Sequence, residues 1–286
     1  MSNGVLPPDN DDHINNIKNP EANKFCPNGN PLIKFGGKDW WINYHWSKET
    51  GPYVYGGNRD VPDFGTIFDP KIIESGPDFV RLWTRKPDPV RFPPPPGKPA
   101  VWRTSEIVMV DKITYGHYLV TAHADNGDFS KFDPQTVLGL FTYQYSNAPS
   151  GENIHREIDM LEVLRGGSSN AQFALQPWDH NPHPWDPFMI PPNTPVITAI
   201  LRWVLEGDGP RAYFHLFLGD YTLANHPAWD NAFRNWKGGE SFPSLVPQST
   251  PTSCVRFHIN LWLMHGVAPS SGQEQSVTIT RFEMGS

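Results

Sequence analysis

The chain has 286 residues, 38% hydrophobic and 19% charged, with net charge −7, pI about 5.8 and mean hydropathy −0.49. That balance excludes a disordered chain and leaves enough apolar residues for a sizeable core. An acidic chain without a Lys/Arg cluster is a poor nucleic-acid partner, and no apolar run approaches the ~20 residues that span a bilayer.

Residues 1–30 are rich in Asn, Asp and Pro and read as an N-terminal arm, with residues 31–286 as a single β-sandwich domain. The first 13 residues are polar and acidic and carry no leader pattern, so the expected location is cytoplasmic, or extracellular for a protein shown without its leader. The 31 prolines are about 11% of the chain against a usual ~5%, and 11 Trp, 9 Tyr and 17 Phe accompany them. Proline disrupts long helices, so aromatics among many turn residues point to an all-β protein with long loops. Apolar pieces with strand-like alternation or turn-residue boundaries fall at 40–46, 79–84, 106–110, 115–122, 137–145, 158–164, 171–176, 196–205, 211–218, 255–264 and 276–282. The proline run at 91–99 reads as an extended surface loop, and 226–235 as the one short helix. Trp40, Trp41 and Trp46 read as core or convex-face packing. About a dozen strands without crossover helices predict a two-sheet antiparallel jelly-roll sandwich with a concave face.

One segment carries chemistry: His155-Arg156-Glu157-Ile158-Asp159-Met160-Leu161-Glu162-Val163. Side chains alternate along a strand, so Glu157 and Asp159 share a face while Ile158 enters the core. Strict alternation would bury Glu162. A bulge between Asp159 and Glu162 restores the phase and returns Val163 to the core. Three carboxylates on one face repel one another, which a purely structural strand has no use for unless the face is open to water. Glycoside hydrolysis with retention can use such a set, since it needs one ionised and one protonated carboxyl ~5–5.5 Å apart.

The same alternation sends Phe257, Ile259 and Leu261 inward and His258, Asn260 and Trp262 to the other face. Glu106, Phe141 and Tyr143 join that second set as candidate substrate contacts. The stretch 178–186 offers Trp178 or Trp185 as a stacking platform for sugar rings, whereas His180 and His183 match no zinc spacing and read as parts of a Pro-braced loop. Cys26 and Cys254 either form a disulfide in an oxidising compartment or remain buried thiols in a reducing one.

Glu157-Ile158-Asp159-Met160-Leu161-Glu162 resembles the E-x-D-x-x-E signature of glycoside hydrolase family 16, in the bulged form of its laminarinase, agarase and carrageenase branches. The resemblance extends through Ser105-Glu106-Ile107, Tyr115 to Tyr118, Leu140-Phe141-Thr142-Tyr143, Trp203, Asn260-Leu261-Trp262 and the last strand, so it covers essentially the whole domain. It implies a concanavalin A-like jelly roll acting as an endo-β-glycanase. Glu157 would be the nucleophile, Asp159 its assisting carboxylate and Glu162 the acid/base. It implies no catalytic cofactor, leaves room for a structural Ca²⁺, and suggests an extracellular monomer whose partner is a β-linked poly- or oligosaccharide. Two departures bear on the glycan: Phe141 stands where many laminarinase-like members have Trp, and 172–176 (Gln-Phe-Ala-Leu-Gln) lacks the usual Asn or His, leaving Gln176 as its candidate sugar contact. A non-catalytic glycan-binding jelly roll and a transglycosylase are the alternatives that share this fold. From these roles Glu157 is expected to be ionised at neutral pH, and Glu162 to have a raised pKa.

Overall fold

The structure, a computed structural model, describes residues 32–42, 46–47, 51–52, 66–90, 100–144, 156–166, 168–177, 179–250 and 253–286. The expected arm, the proline run, Trp178 and Cys26 lie outside the described residues, as does the side chain of Trp46.

In chain order the strands are β1 (Leu32–Phe35), β2 (Lys38–Ile42), β3 (Trp46–Ser47), β4 (Gly51–Pro52), β5 (Thr66–Phe68) and β6 (Glu74–Gly76). There follow β7 (Phe79–Thr84), β8 (Trp102–Met109), β9 (Gly116–Ala124), β10 (Thr136–Tyr143), β11 (Ile158–Gly166) and β12 (Ser169–Leu175). The last six are β13 (Trp185–Phe188), β14 (Val196–Glu206), β15 (Gly209–Leu218), β16 (Arg234–Trp236), β17 (Arg256–Leu263) and β18 (Gln275–Gly285).

One large sheet runs β1-β2-β8-β17-β10-β11-β12-β13, with β5 parallel beside β8; the other runs β16-β15-β14-β9-β18-β7-β6, and β3 and β4 pair only with each other. The chain crosses between these sheets repeatedly, among other places from β8 to β9, from β9 to β10 and from β17 to β18. The two last strands enter the middle of their sheets, β17 between β8 and β10 and β18 between β9 and β7. This is a jelly-roll sandwich. Each segment read as a strand overlaps one. Six strands were unforeseen, all of two to four residues and too short to display alternation: β4, β5, and the four edges of the large sheets, β1, β6, β13 and β16.

Alternation fills the space between the sheets. Phe257, Ile259 and Leu261 of β17 meet Tyr118 and Val120 of β9 and Phe282 of β18, all buried. Phe257 lies 5.9 Å from Tyr118 and 5.2 Å from Phe282, and Trp40 packs edge-on against Phe282 at 4.9 Å. Phe173 of β12 bridges the sheets through Phe214 of β15 at 5.4 Å. Buried indoles need partners for their N–H groups: Trp40 Nε1 donates to Phe35 O and Trp203 Nε1 to Pro247 O, both at 3.0 Å. The β1–β2 hairpin turns on Gly36 and Gly37 at φ +57° and +69°, and a Cβ on Gly36 would meet Phe282 O at 2.8 Å.

The short helix expected at 226–235 is absent. Trp229–Asn231 makes a single 3₁₀ turn, and 234–236 pairs with β15 as a strand. The reason is an apolar patch on the outer face of the second sheet, Leu119, Ile200 and Phe217, onto which Trp229 and Ala232 fold. Covering that patch competes successfully with one local helical turn.

Two buried aspartates tie the loops together at one end of the sandwich. Asp128 accepts from the backbone N–H groups of Ser130 (3.0 Å), Asn193 (2.9 Å) and Thr194 (3.3 Å). Asp133 accepts from the N–H groups of Gln135, Ser270 and Ser271, each at 3.0 Å, and from the Ser270 hydroxyl at 2.8 Å. Burial would raise both carboxyls, but these donors outweigh it and hold both below the usual carboxylate range. A depressed pKa contributes stability above the unfolded value, lost as pH falls through the folded one. Asp133→Asn should therefore cost about 1–3 kcal/mol in urea melts at pH 7, with the gap to wild type narrowing as the buffer turns strongly acidic. An equal deficit at all pH values would contradict it.

Candidate active site

The site is built across β8, β17, β10, β11 and β12, which lie side by side. Register aligns Glu106 with Asn260, Asn260 with Gly139, Gly139 with Glu162, and Glu162 with Gln172. The adjacent row on the same face runs Val108, His258, Phe141, Asp159, Ala174 and Trp185. Tyr143 pairs with Arg256 one row further on, and Trp262 lies beyond Asn260 in the opposite direction, half-buried.

The bulge makes this face. Towards β10, Leu161 pairs with Leu140 and Asp159 with Phe141, leaving Met160 unopposed. Towards β12 the register shifts between Asp159 and Glu162. Met160 and Leu161 are both fully buried, so two consecutive side chains enter the core and Glu162 emerges beside Asp159.

Amides hold the carboxylates. Gln172 Nε2 donates to Glu162 Oε2 at 2.6 Å, and Gln176 Nε2 donates to Asp159 Oδ2 at 2.9 Å. Gln176, a candidate sugar contact, thus supports a carboxylate. Asp159 shares a hydrogen bond with Glu157. Burial raises the pKa of all three acids. Glu157 is pushed up to about 8, by burial first and then by the charges of Glu162 and Glu106, while the Asp159 hydrogen bond opposes them. Asp159 is raised by burial and by Glu157 and Glu162; in Glu162 the Gln172 bond opposes the rise. Glu157 is therefore not the low-pKa member of the set that its sequence context suggested. Crowded onto one face, Glu157, Asp159 and Glu162 all become weaker acids than free carboxyls.

Neighbouring side chains form the floor. His258 Nδ1 lies 2.6 Å from Glu106 Oε1. Phe141 stacks on the His258 ring at 4.9 Å and Tyr143 meets it edge-on at 5.7 Å. Asn260 is buried, its Oδ1 has no hydrogen-bond partner among the described residues, and a Cβ on Gly139 would lie only 2.5 Å from it. Trp185 shares the Asp159 row, and His183 lies flat on its ring at 4.2 Å and 7°. Asp186 is taken by a bidentate pair with Arg234. Among the described residues no cluster of three or more His, Cys, Asp or Glu is arranged to hold a metal ion. Cys254 is half-buried just before β17, and its N–H donates to Gln144 Oε1 at 3.0 Å.

Trp41 departs from the core or convex-face packing expected of it. It pairs with Val108 and so shares the site face, where the Arg256 guanidinium covers its ring at 4.6 Å. Gln172 and His258 were legible only as members of a face. Nothing local in the sequence marks Gln172 as the donor to Glu162, because the bulge sets which residue stands opposite.

Two measurements follow from this geometry. Gly139→Ala drives a methyl into the Asn260 amide and should destabilise the protein by ~1–3 kcal/mol, read from denaturant unfolding; unaltered stability would show that the amide turns aside freely. For Glu157 the folded pKa lies above the ordinary 4.5, so the native state keeps a proton that the unfolded chain has released. Wild-type stability then falls as pH rises from about 4.5 to about 8. The neutral Glu157→Gln variant escapes that loss, and its melting temperature relative to wild type should climb across the window. A pH-independent difference would contradict the raised pKa.

No protein-family model and no curated sequence matches the chain. Solved structures do. A Bacillus licheniformis β-glucanase is similar at TM-score 0.53 and 14% identity, over 90% of this chain and 96% of that one. A family 16 enzyme of a Bacteroides ovatus mixed-linkage glucan locus, solved with a G4G4G3G product, is similar at 0.50 and 10%, over 86% and 94%. A Mycobacterium tuberculosis immunostimulatory antigen described as a pseudo β-1,3-glucanase is similar at 0.53 and 15%, over 86% and 91%. With two antiparallel sheets in jelly-roll order and an acidic bulged strand at the centre of one, the chain has the fold of glycoside hydrolase family 16.

Proposed function

We propose that the protein is a retaining, endo-acting hydrolase of β-linked glycans. Glu157 is the nucleophile, Asp159 its proton-bearing partner and Glu162 the acid/base. The observation that carries this reading is the acidic set on one face, Asp159 buried between the half-buried Glu157 and Glu162, in which each of the two acids flanking the bulge receives its own glutamine amide. Similarity to β-glucanases supports the substrate class.

In the first step Glu157 attacks the anomeric carbon while Glu162 protonates the departing glycosidic oxygen, leaving a covalent glycosyl ester. Glu162, now ionised, takes a proton from water, which attacks the same carbon and releases Glu157. Two inversions give net retention. The unfavourable charge on half-buried Glu157 is relieved as positive charge grows on the anomeric carbon, so its raised pKa works in favour of the transition state. Asp159, protonated, donates to Glu157 and keeps a second full charge away from the ionised nucleophile. Phe141, Tyr143, Asn260 and Trp262 supply stacking and hydrogen-bonding contacts to the sugar rings, and Glu106 contributes a buried carboxylate beside them.

Similarity to a pseudo-glucanase raises a second reading, a glycan-binding protein without turnover. The mutually repelling acids argue against it, because binding alone gains nothing from them. A transglycosylase would use the same residues, with a sugar hydroxyl replacing water.

Reducing-sugar release from β-1,3-, β-1,3/1,4-glucan and galactan panels separates these readings. Turnover should appear on at least one, with the acid limb of kcat/KM above the ordinary glutamate range. Glu157→Gln should lower turnover by roughly 10³-fold or more while retaining glycan binding, and Glu162→Ala should be partly rescued by a dinitrophenyl leaving group. Binding without hydrolysis by wild type would favour the second reading. Full activity in Glu157→Gln would remove the nucleophile assignment.

A further inference from the structure

Glu157 stands one residue before β11 begins, where an ordinary strand end would fray. Its neighbours are nevertheless held tightly. Thr142 of β10 is fully buried and pairs with Ile158. Its hydroxyl accepts from the Ile158 N–H at 3.1 Å and donates to the Arg156 carbonyl at 2.9 Å. One hydroxyl thus bridges the residues on either side of Glu157, using donor and acceptor together. The Glu157 carbonyl itself accepts from the Gln176 N–H at 3.4 Å.

Arg156 is one of two non-glycine residues with positive φ among those described, at +49°. Side chains with a Cβ rarely adopt that conformation, and it persists only where surroundings over-determine it. Here they do. The Arg156 guanidinium donates to Gln144 Oε1 at 3.2 Å and to the Ser253 hydroxyl. Ser253 is buried and accepts from the Thr250 N–H at 2.9 Å, while Gln144 Oε1 also accepts from the Cys254 N–H. The backbone around Glu157 is therefore fixed from β10, from the end of β12 and from the segment preceding β17.

We propose that the Thr142 hydroxyl is a positioning residue for Glu157, acting with the Arg156 anchor to hold a left-handed turn that aims the carboxylate along the face. The proposal rests on Glu157 being the nucleophile. In-line attack tolerates little displacement, and a shift of about 1 Å can cost about 100-fold in rate. A hydroxyl that merely satisfied two buried backbone groups would matter to stability and leave the chemical step alone.

The test compares Thr142→Val, of nearly the same shape without the hydroxyl, with Thr142→Ser, which keeps it. On mixed-linkage β-glucan, Thr142→Val should lose about 10- to 100-fold in kcat with KM within about twofold, and Thr142→Ser should recover most of the loss. Wild-type kcat in Thr142→Val, or equal losses in both variants, overturns the proposal. Should Thr142→Val not fold, Arg156→Gly takes its place, since glycine accepts the positive φ and only the anchor is lost; unchanged kcat there overturns it equally. A crystal structure of whichever variant folds gives a readout independent of substrate, and an unmoved Glu157 carboxylate also overturns it. Glu157→Gln measured in parallel keeps the two claims apart. If it remains active the nucleophile reading fails, whereas an inactive Glu157→Gln beside a fully active Thr142→Val removes the positioning role alone.

Discussion

Met160 has no partner towards β10, and the gathering of acids on one face of the sheet depends on that one unpaired position. Without the bulge, Glu162 would point between the sheets, where an ionised carboxylate faces a prohibitive loss of hydration. With it, Met160 and Leu161 both enter the core and three acids share one face. The bulge is stable because the core accepts two consecutive apolar side chains there. Packing between the sheets and the disposition of charge on the face are thus one constraint seen from two sides.

Gathering acids in this way opposes folding. Burial raises Glu157, Asp159 and Glu162 together, and repulsion by neighbouring carboxylates adds to it in Glu157 and Asp159. The structure answers with directed donors: an amide from Gln172, another from Gln176, and a proton shared between Asp159 and Glu157. Glu106 is set against His258 and fixes that imidazole between Phe141 and Tyr143. The side chains of the face are thus held by one another. Such sites commonly trade stability for activity.

The sheet opposite the site works at a distance. Its inner residues complete the core that seats the bulge, and β17, the strand carrying His258 and Asn260, is placed only when the chain returns through the middle of the first sheet. β18 makes the matching insertion into the second. Residues far apart in sequence, Glu106 and Asn260 for example, become cross-strand neighbours by this route. The site therefore forms only with long-range strand pairing, and no single hairpin contains it.

Much of this was legible beforehand for a physical reason. Strand alternation is a local property, so the main strands, the inward set on β17 and the outward set of Phe141, Tyr143, Asn260 and Trp262 could be read from period 2. The bulge was legible because three acids at 157, 159 and 162 fit one face only if one residue is skipped. Tertiary structure alone decided which residues stand opposite one another. It set Gln172 against Glu162, brought Trp41 beneath Arg256, and drew 226–235 out of a helix onto the patch around Phe217. It also made Glu157 a weak acid, since a pKa depends on burial and on charges that arrive from other strands. The local pattern dictates which face each side chain takes; the pairing of distant strands dictates what that side chain meets there.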